Sequence, residues 1–345
     1  SGREYYECWE LLNSYSGCML GNPALSVLAD AYIKGIRTYD AEKAYRYAIN
    51  TSRRFGNDSL GYAPEPLSIS TTLEYAYTDW CISQLAKAMG KEDDAKCFYE
   101  KGQAYHHIFD KEKGWFRPRK ADGTWVEWPE NARLKEWYGC IEANSYQQGW
   151  FVPHDVDGLV NLMGGEDAFV QKLDSLFTAD SSLEGEMISS DISGLIGQYA
   201  HGNEPSHHVI HLYNYVNRPW RTQELVDSVY QSQYANSTDG LSGNEDCGQM
   251  SAWYILNSMG FYQVCPGKPI YSIGRPAFDK AVINLPEEKT FSIVVKNNEK
   301  KNKYIESVTL NGQPLNTPFF HHQDIANGGT MEIKMTAQPT KWGVR

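Results

Sequence analysis

Residues 70–90, STTLEYAYTDWCISQLAKAMG, decide the fold class of this chain. Six apolar residues in this stretch recur every three or four positions, which places them on one face of an α-helix. They are Leu73, Tyr77, Trp80, Cys81, Leu85 and Ala88. Ser70 is a candidate N-cap, and Gly90 is a typical stop. The stretch therefore predicts a helix with a face that must be buried against other elements.

The same pattern recurs on both sides of this helix. Asp40 is placed to cap a helix that ends near Gly56, and an aromatic hairpin is predicted with Asp122-Gly123 as its turn. Further helices are predicted at residues 94–109, 156–163, 167–177, 205–215, 222–234 and 249–259. The polar, glycine-rich motifs fall in the loops between helices. A plain helical bundle explains the periodicity equally well but not these motifs, which favour an α/α toroid with its site in the loops.

The pattern changes after Phe261. Short alternating segments at residues 291–295, 304–310 and 331–335 are separated by turn signals such as Asn311-Gly312 and Gly328-Gly329. We therefore predict a mainly α-helical, toroid-like catalytic domain over residues 1–261 and a small β-rich module over residues 262–345.

Charge and composition exclude some classes of function. The 345 residues carry 43 acidic against 32 basic side chains, a net charge of −11, which argues against a nucleic-acid surface. No apolar run approaches a membrane span, and no secretory signal is recognisable at the start. The 23 Tyr and 10 Trp are the side chains that both cores and sugar-binding sites use. A neutral partner is expected, rather than a nucleic acid or a membrane.

The seven cysteines are widely spaced and include no C-x-x-C pair, which excludes zinc-ribbon and thioredoxin-like readings. In a domain of this size, mostly buried free thiols are expected. Such thiols favour a reducing compartment, or an export route that does not depend on disulfides. The set comprises Cys8, Cys18, Cys81, Cys97, Cys140, Cys247 and Cys265.

Three loop segments combine carboxylates, amides or imidazoles with glycines and aromatics, each close to the start of a helix. They are residues 137–155, 201–208 and 243–253. Glycosidic cleavage requires one carboxylic acid and one carboxylate. Glu142 lies among bulky residues that would keep it protonated, which suits the acid, whereas Asp246, next to Glu245, suits the base. Capping or salt bridging is the alternative for each carboxylate.

Metal binding is the other chemistry that these loops suggest. Asn203, Glu204 and Asp246 offer oxygen ligands, which suit calcium better than zinc. His207 and His211 have helical i, i+4 spacing, but no glutamate completes a zincin arrangement. Neither a phosphate-binding glycine loop nor a G-x-S-x-G elbow is present, so a nucleotide enzyme and a serine hydrolase are not favoured.

At these loops the sequence resembles glycoside hydrolase family 92. The resemblance runs along almost the full length of the chain and is specific because many separate matches occur in order. The matching segments are CMLGNP at 18–23, ADAYIKGIR at 29–37, TLEYAYTDW at 72–80, WFVPHD at 150–155, GNEPSHH at 202–208, GNEDCGQMSAW at 243–253, Pro266-Gly267 with Tyr271, LNG at 310–312 and Gly328-Gly329.

This resemblance implies an α/α toroid and a calcium-dependent exo-α-mannosidase that acts on terminal mannose of glycans with inversion. Glu142 then matches the general acid, Asp246 the base, and Asn203, Glu204 and Asp246 the metal site. The remaining motif side chains are expected to bind substrate: Trp150, His154, Asp155, His201, His207, His208 and Glu245.

Two departures from the family pattern stand out. Some members carry a second acid two residues before the base, where this chain has Asn244, so Glu245 or a backbone group is expected to share that role. Family members also carry an N-terminal β-sandwich and the first toroid helices ahead of the point where this chain begins. Those parts are expected as partners of the site, and the family is expected to be secreted or periplasmic.

Two other readings of the sequence remain. One is another carbohydrate-active enzyme on the same toroid, a phosphorylase or a lyase. The other is an inactive mannan-binding remnant.

Overall fold

The structure is a computed structural model that describes residues 3–11, 14–17, 19–57 and 60–345. Cys18, the first residue of one family-like motif, lies outside these ranges. Two compact units are present. The first comprises Ser1–Phe169, Ala179–Ser190 and Cys265–Lys268; the second comprises Val170–Thr178, Asp191–Val264 and Pro269–Arg345. The predicted boundary at residue 261 marks the change from helices to strands and stays a prediction as a domain division.

Helices dominate the first unit. They are α1 (Pro23–Ile33), α2 (Ala41–Phe55), α3 (Ser68–Ala88), α4 (Glu92–Lys101), α5 (Ser145–Gln148) and α6 (Val156–Leu162), with a 3₁₀ turn at Ala104–Ile108. Two small strand pairs join them: β1 (Glu10–Leu11) with β2 (Ser14–Tyr15), and β3 (Phe109–Asp110) with β4 (Trp115–Phe116). Helix α7 (Glu166–Thr178) begins in this unit, and its residues from Val170 onward belong to the second.

Helix α3 is buried along most of its length, as its apolar periodicity requires. Tyr77, Trp80 and Leu85 pack in one cluster with Leu25 of α1 and Ile49 of α2. Burying such side chains stabilises the unit by roughly 1.5–3 kcal/mol each. The predicted N-cap of α3 is wrong, because the helix begins at Ser68 and includes Ser70.

Other predicted helix ends in the first unit depend on local chemistry. Asp40 does cap α2, since its side chain accepts the backbone N–H of Lys43 at 3.0 Å, and the helix stops before Gly56. The predicted helix at residues 94–109 is interrupted, because α4 ends at Lys101, just before Gly102, and a 3₁₀ turn follows.

The second unit combines helices with most of the strands. Its elements are β5 (Leu195–Ile196), β6 (Tyr199–Ala200), α8 (Pro219–Gln233), α9 (Gln249–Met259), β7 (Phe261–Tyr262), β8 (Ile270–Ile273), β9 (Lys280–Asn284), β10 (Thr290–Lys296), β11 (Tyr304–Leu310), β12 (Gln313–Pro314), β13 (Phe319–His321), α10 (His322–Ala326) and β14 (Gly329–Thr336). The predicted helix at 205–215 is instead two 3₁₀ segments, Glu204–Ser206 and Val209–Val216.

Eight strands of this unit form a five-stranded sheet in the order β12-β11-β14-β10-β9 and a three-stranded sheet in the order β13-β8-β7, and β5 pairs separately with β6. Only the β10–β14 pair of the five-stranded sheet is parallel, with Ile293 opposite Met331. Alternate residues of β10, Phe291, Ile293 and Val295, point into the core, as the period of two in a strand requires. The predicted β-rich character after Phe261 is therefore confirmed.

Candidate active site

The loop that carries Glu142 is fastened to the first turn of α3. The carbonyl of Gly139 accepts the N–H groups of Ile69 and Ser70 at 2.8 and 3.1 Å, and the Ser70 hydroxyl accepts the N–H of Ile141 at 3.0 Å. A helix start has unpaired N–H groups, and this loop satisfies two of them. Gly139 has a φ of +75°, and a Cβ there would lie 2.5 Å from Pro118, so only glycine fits.

Two side chains of this loop sit on strained backbone. Glu142 has a φ of +49° and Trp137 one of +61°, in the left-handed region that L-residues avoid. Each such residue costs roughly 1–3 kcal/mol and persists only where its surroundings fix it. The N–H of Trp137 donates to the carbonyl of Ala143 at 3.3 Å, which closes the loop around Glu142. Strain of this kind clusters at functional sites, so it supports Glu142 as a candidate catalytic residue.

Several buried polar atoms around the same loop have no hydrogen-bond partner among the described residues. They are Oε1 of Glu136, Nε1 of Trp137, Oγ of Ser145, Nε2 of Gln147 and both amide atoms of Gln148. Buried polar groups are almost always bonded, so a concentration of this kind indicates that water or ligand hydroxyls complete the set. Burial raises the pKa of Glu136, partly opposed by the hydrogen bond from the Ser189 N–H.

Trp150 is a core residue of the first unit. Its side chain is completely buried, stands edge-on to Trp115 and Phe169, and donates its indole N–H to the carbonyl of Tyr146 at 2.9 Å. No face of the ring is open to a sugar in this arrangement. Its predicted substrate-binding role stays a prediction, and the observed contacts are those of packing.

His154 and Asp155 also stabilise the first unit. Nε2 of His154 donates to the Gly102 carbonyl at 2.8 Å, which leaves Nδ1 as a buried acceptor without a partner. Burial lowers the pKa of this imidazole to about 4, so it is neutral. Asp155 caps α6 through the N–H of Gly158 at 2.9 Å and accepts the hydroxyl of Tyr105 at 2.8 Å. Direct contact of either residue with substrate stays a prediction.

In the second unit, the loop of Asn203 and Glu204 lies against the loop of Asp246. Gly202 and Gly243 make this approach possible, because a Cβ on Gly243 would lie 2.6 Å from the Ser193 hydroxyl and 3.2 Å from the Cα of Gly202. The structure thus brings together the two motifs that supply the predicted metal ligands.

A continuous hydrogen-bond network supports these two loops. The Tyr234 hydroxyl donates to the carbonyl of Met250, so it accepts from Nε2 of His201, whose Nδ1 then accepts the hydroxyl of Tyr199. The Gln249 amide donates to Nδ1 of His207. Nε2 of His207 therefore carries the proton and donates to the carbonyl of His201 at 2.8 Å.

Both histidines are buried and neutral. Burial lowers the pKa of His207 to about 4, and that of His201 well below its usual range. Their ring nitrogens already have protein partners, so neither is available to a metal. Their predicted contact with substrate stays a prediction. His208 is also buried, on the adjoining turn.

Glu245 and Asp246, although adjacent, have different environments. Glu245 accepts the N–H of Gly248 at 2.5 Å, and its other oxygen accepts the N–H and hydroxyl of Ser251, so both oxygens hold the start of α9. Asp246 has a φ of +54°, and within the part of the chain that the structure describes its carboxylate has no hydrogen-bond or ion-pair partner. Of the two, Asp246 has the carboxylate that is free to act on a substrate.

Glu142 belongs to the first unit and Asp246 to the second. Their predicted pairing across one sugar therefore stays a prediction. Across the described ranges, no three His, Cys, Asp and Glu residues are grouped so that they alone could hold a metal ion.

Six cysteines are free thiols: Cys8, Cys81, Cys97, Cys140, Cys247 and Cys265. Within the same ranges, no helix combines the length and apolar character that a bilayer crossing requires.

Sequence reasoning missed three features of these loops. Gln147 and Gln148 have buried amide atoms beside the Glu142 loop and lie within the segment at residues 137–155. Two successive amides close to a tryptophan in that segment could have indicated a polar site. Asp191, whose carboxylate accepts the Asn244 amide at 3.0 Å, lies 53 residues away in no motif. Nothing in the sequence marked it.

Comparison with known proteins identifies the family. The model of the glycosyl hydrolase family 92 catalytic domain matches residues 2–337. A family GH92 α-mannosidase of Bacteroides thetaiotaomicron, solved in complex with mannoimidazole, matches with a TM-score of 0.93 and 36% identity over 100% of this chain and 47% of its own. An inverting family GH92 mannosidase of Bacteroides thetaiotaomicron VPI-5482 matches with a TM-score of 0.86 and 34% identity over 99% and 49%.

A curated relative, described as an uncharacterized secreted glycosidase of Arthroderma benhamiae, is 29% identical over 94% of this chain and 46% of its own length. The chain thus spans about half the length of the relatives that it matches. The structural matches confirm the predicted fold class, of the helical toroid type with a small C-terminal β region. With nearly every residue inside the family model, the chain belongs to glycosyl hydrolase family 92.

Proposed function

We propose that this protein is an exo-acting α-mannosidase that hydrolyses terminal α-mannosidic linkages of glycans with inversion. Membership of family 92 supports glycoside hydrolysis. The solved relatives at 36% and 34% identity are α-mannosidases, and one of them is described as inverting. The relative that binds mannoimidazole supports a mannose-configured substrate.

The observation that carries the proposal is the state of the Asp246 carboxylate. It stands on strained backbone and lacks a partner in the described chain, whereas the neighbouring Glu245 is fully engaged at α9. A general base must be ionised, held in place and free to accept a proton from water. Asp246 fits the last two conditions, which supports its role as the base.

Glu142 is the general acid. Protonating the leaving oxygen requires a carboxyl group that keeps its proton, and desolvation favours that state. The half-buried Glu142 loop, with its buried indole and amide groups, offers such surroundings. Inversion further requires that water fit between base and sugar, so the two carboxyl groups should stand roughly 6.5–9.5 Å apart when the site is assembled.

Calcium is the cofactor that we propose. The donor chemistry fits, because the packed loops offer amide and carboxylate oxygens from Asn203, Glu204 and Asp246, which calcium prefers, while His207 is already bonded through both nitrogens. When bound, calcium would hold ring hydroxyls and favour flattening of the sugar. The role of this chain is to hold the two loops together and to present the Asp246 carboxylate at their surface.

Product stereochemistry tests the reaction directly. Proton NMR of an α-mannoside digest should show β-mannose first, because water attacks the face opposite the leaving group. Retention of the α-anomer would contradict inversion. Mannose 1-phosphate formed only with added phosphate would indicate a phosphorylase, an unsaturated product a lyase, and binding without turnover an inactive remnant.

Chelation tests the metal. Activity should vanish with a strong chelator and return with calcium but not with zinc. Activity that survives thorough chelation would remove calcium from the proposal. The secreted label of the curated relative supports an exported protein, and the remaining half of the relatives' length is the proposed partner that completes the site.

A further inference from the structure

A short segment of the second unit, Asp191 to Gly194, links the two loops of the candidate site. The carbonyls of Ser193 and Gly194 accept the N–H groups of Gly202 and His201 at 3.0 and 3.3 Å. On the other side, Oδ1 of Asp191 accepts the side-chain amide of Asn244 at 3.0 Å. One segment therefore holds the loop of Asn203 and Glu204 by its backbone and the loop of Asp246 by a side chain.

Close packing reinforces this link. The Ser193 hydroxyl fills the space beside Gly202 and Gly243, where any side chain would collide with it. The same hydroxyl is buried and has no hydrogen-bond partner in the ranges that the structure describes, so it acts here through its shape. The separation of the two loops is thus fixed by contact with the segment.

The base loop needs such support. Asp246 and Cys247 follow one another in the left-handed region, with φ values of +54° and +55°. Consecutive residues of this kind persist only where neighbouring groups determine their conformation. Glu245 fixes the C-terminal side of the loop through Gly248 and Ser251, and Asn244 is the side chain that fixes its N-terminal side.

We propose that Asp191 is a positioning residue for the candidate base, acting through Asn244 to hold Asp246 in its reactive orientation. The proposal rests on the function proposed above, since it assigns Asp246 as base. Glu245 is committed to α9, so Asp191 supplies the carboxylate that holds the side chain of Asn244.

The geometry predicts a selective effect on turnover. The Asp191 side chain accepts the Asn244 amide of the Asp246 loop, whereas the loop of Asn203 and Glu204 is held by backbone carbonyls that a side-chain change leaves in place. A misplaced base slows the attack of water without weakening ground-state binding. Asp191→Ala should therefore lower kcat, on the order of 10- to 100-fold, with KM little changed.

Two variants make the test specific. Asp191→Asn keeps an oxygen that can accept the Asn244 amide, so it should retain most of the kcat that Asp191→Ala loses. Asp279→Ala is a matched control, because Asp279 accepts the amide of Asn298 at 3.1 Å on another exposed loop, and its kcat should equal that of the parent. Hydrogen exchange should also rise in Asp191→Ala at the amides of Gly248, Gln249 and Met250, which close the base loop.

The outcomes separate this proposal from the function on which it rests. A parent protein that lacks mannosidase activity even when joined to the proposed partner half would refute the proposed function, and hydrogen exchange alone would then test the role of Asp191. Exchange that is unchanged in Asp191→Ala would overturn the positioning role. So would a kcat equal to that of Asp279→Ala, or an equal loss in Asp191→Asn and Asp191→Ala.

Discussion

The two loops that carry the candidate carboxylates are alike in backbone and unlike in surroundings. Glu142 and Asp246 both occupy left-handed conformations. Around Glu142, buried indole, amide and carboxyl atoms lack partners, whereas beside Asp246 the polar groups of His201, His207 and Glu245 are bonded. The first region leaves hydrogen bonds for a ligand to complete, whereas in the second region the two imidazoles and Glu245 are held by other groups of the protein.

This contrast suits the two tasks. A general acid gains from a site that ligand closes and dries, since desolvation keeps its proton in place. A base that activates water must stay ionised and be held rigidly by neighbours that do not depend on the ligand. The difference thus predicts for which substitutions the effect on activity depends on the leaving group and for which it depends on packing. It also predicts how the stability of each region depends on pH.

The largest effect is expected at the base. Asp246→Asn should lower kcat roughly 10²- to 10⁴-fold on both an α-linked mannobiose and an activated aryl mannoside, because both need an activated water. Initial rates on the two substrates measure this. Glu245→Gln is the matched control and should keep most of the activity, since its oxygens hold a helix start. Equal loss in both variants would contradict the assignment of Asp246, rather than Glu245, as the base.

A selective effect is expected at the acid. Glu142→Gln should lower kcat on mannobiose by roughly 10²- to 10⁴-fold yet largely spare an aryl mannoside whose leaving group departs without a proton. The ratio of the two rates is the measurement. If the variant keeps the same ratio of the two rates as the parent protein, Glu142 is not the general acid. The contrast between an acid loop and a base loop would then have no functional meaning.

Much of the fold follows from local patterns. Helix α9 has the predicted bounds, Gln249–Met259, and strand β11 those predicted for it, Tyr304–Leu310. Where tertiary contacts decide, prediction failed. Ser70 was predicted to cap a helix, but Ile69, Ser70 and the following turn are organised by the Gly139 carbonyl, 69 residues further along the chain than Ser70.

The candidate site was predictable only in part. Motifs pointed to Glu142 and Asp246, but periodicity does not reveal a positive φ at a glutamate. The expected contact of Trp150 with substrate stays a prediction, and what its sequence position did not reveal is that its side chain packs on Trp115 in the core. Burial on both faces depends on elements distant in sequence, which a local pattern does not contain.

A moderate effect is expected where the two loops of the second unit touch. Gly243→Ala would place a Cβ 2.6 Å from the Ser193 hydroxyl and should push the Asp246 loop outward, lowering kcat on the order of 10-fold. Ser193→Ala alone should lower kcat less than Gly243→Ala does, because it removes a packing contact without creating a collision. Combined with Gly243→Ala, it should restore part of the loss. No rescue in the double variant would show that the contact does not fix the loop.

The smallest effect is expected from pH. Lowering the pH should change the stability of the two regions in opposite directions. Burial lowers the pKa of His207 from 6.5 to about 4, so the folded protein binds fewer protons than the unfolded chain. The stability that this neutral histidine contributes, at most roughly 3 kcal/mol, is complete above pH 6.5 and is lost as pH falls toward 4. Glu136 has the opposite dependence. Its pKa is raised in the folded protein, so its contribution to stability declines as pH rises.

Hydrogen exchange between pH 7 and pH 4.5 distinguishes the two regions. After correction for intrinsic rates, protection should fall at residues 199–208 and hold at residues 136–148. His207→Gln should flatten the acid loss, because glutamine keeps a donor for the His201 carbonyl and takes up no proton. Two results would contradict this expectation: an equal loss of protection in both segments at low pH, or an unaltered pH profile in His207→Gln. Either would mean that neutral imidazoles do not stabilise the network beside Asp246.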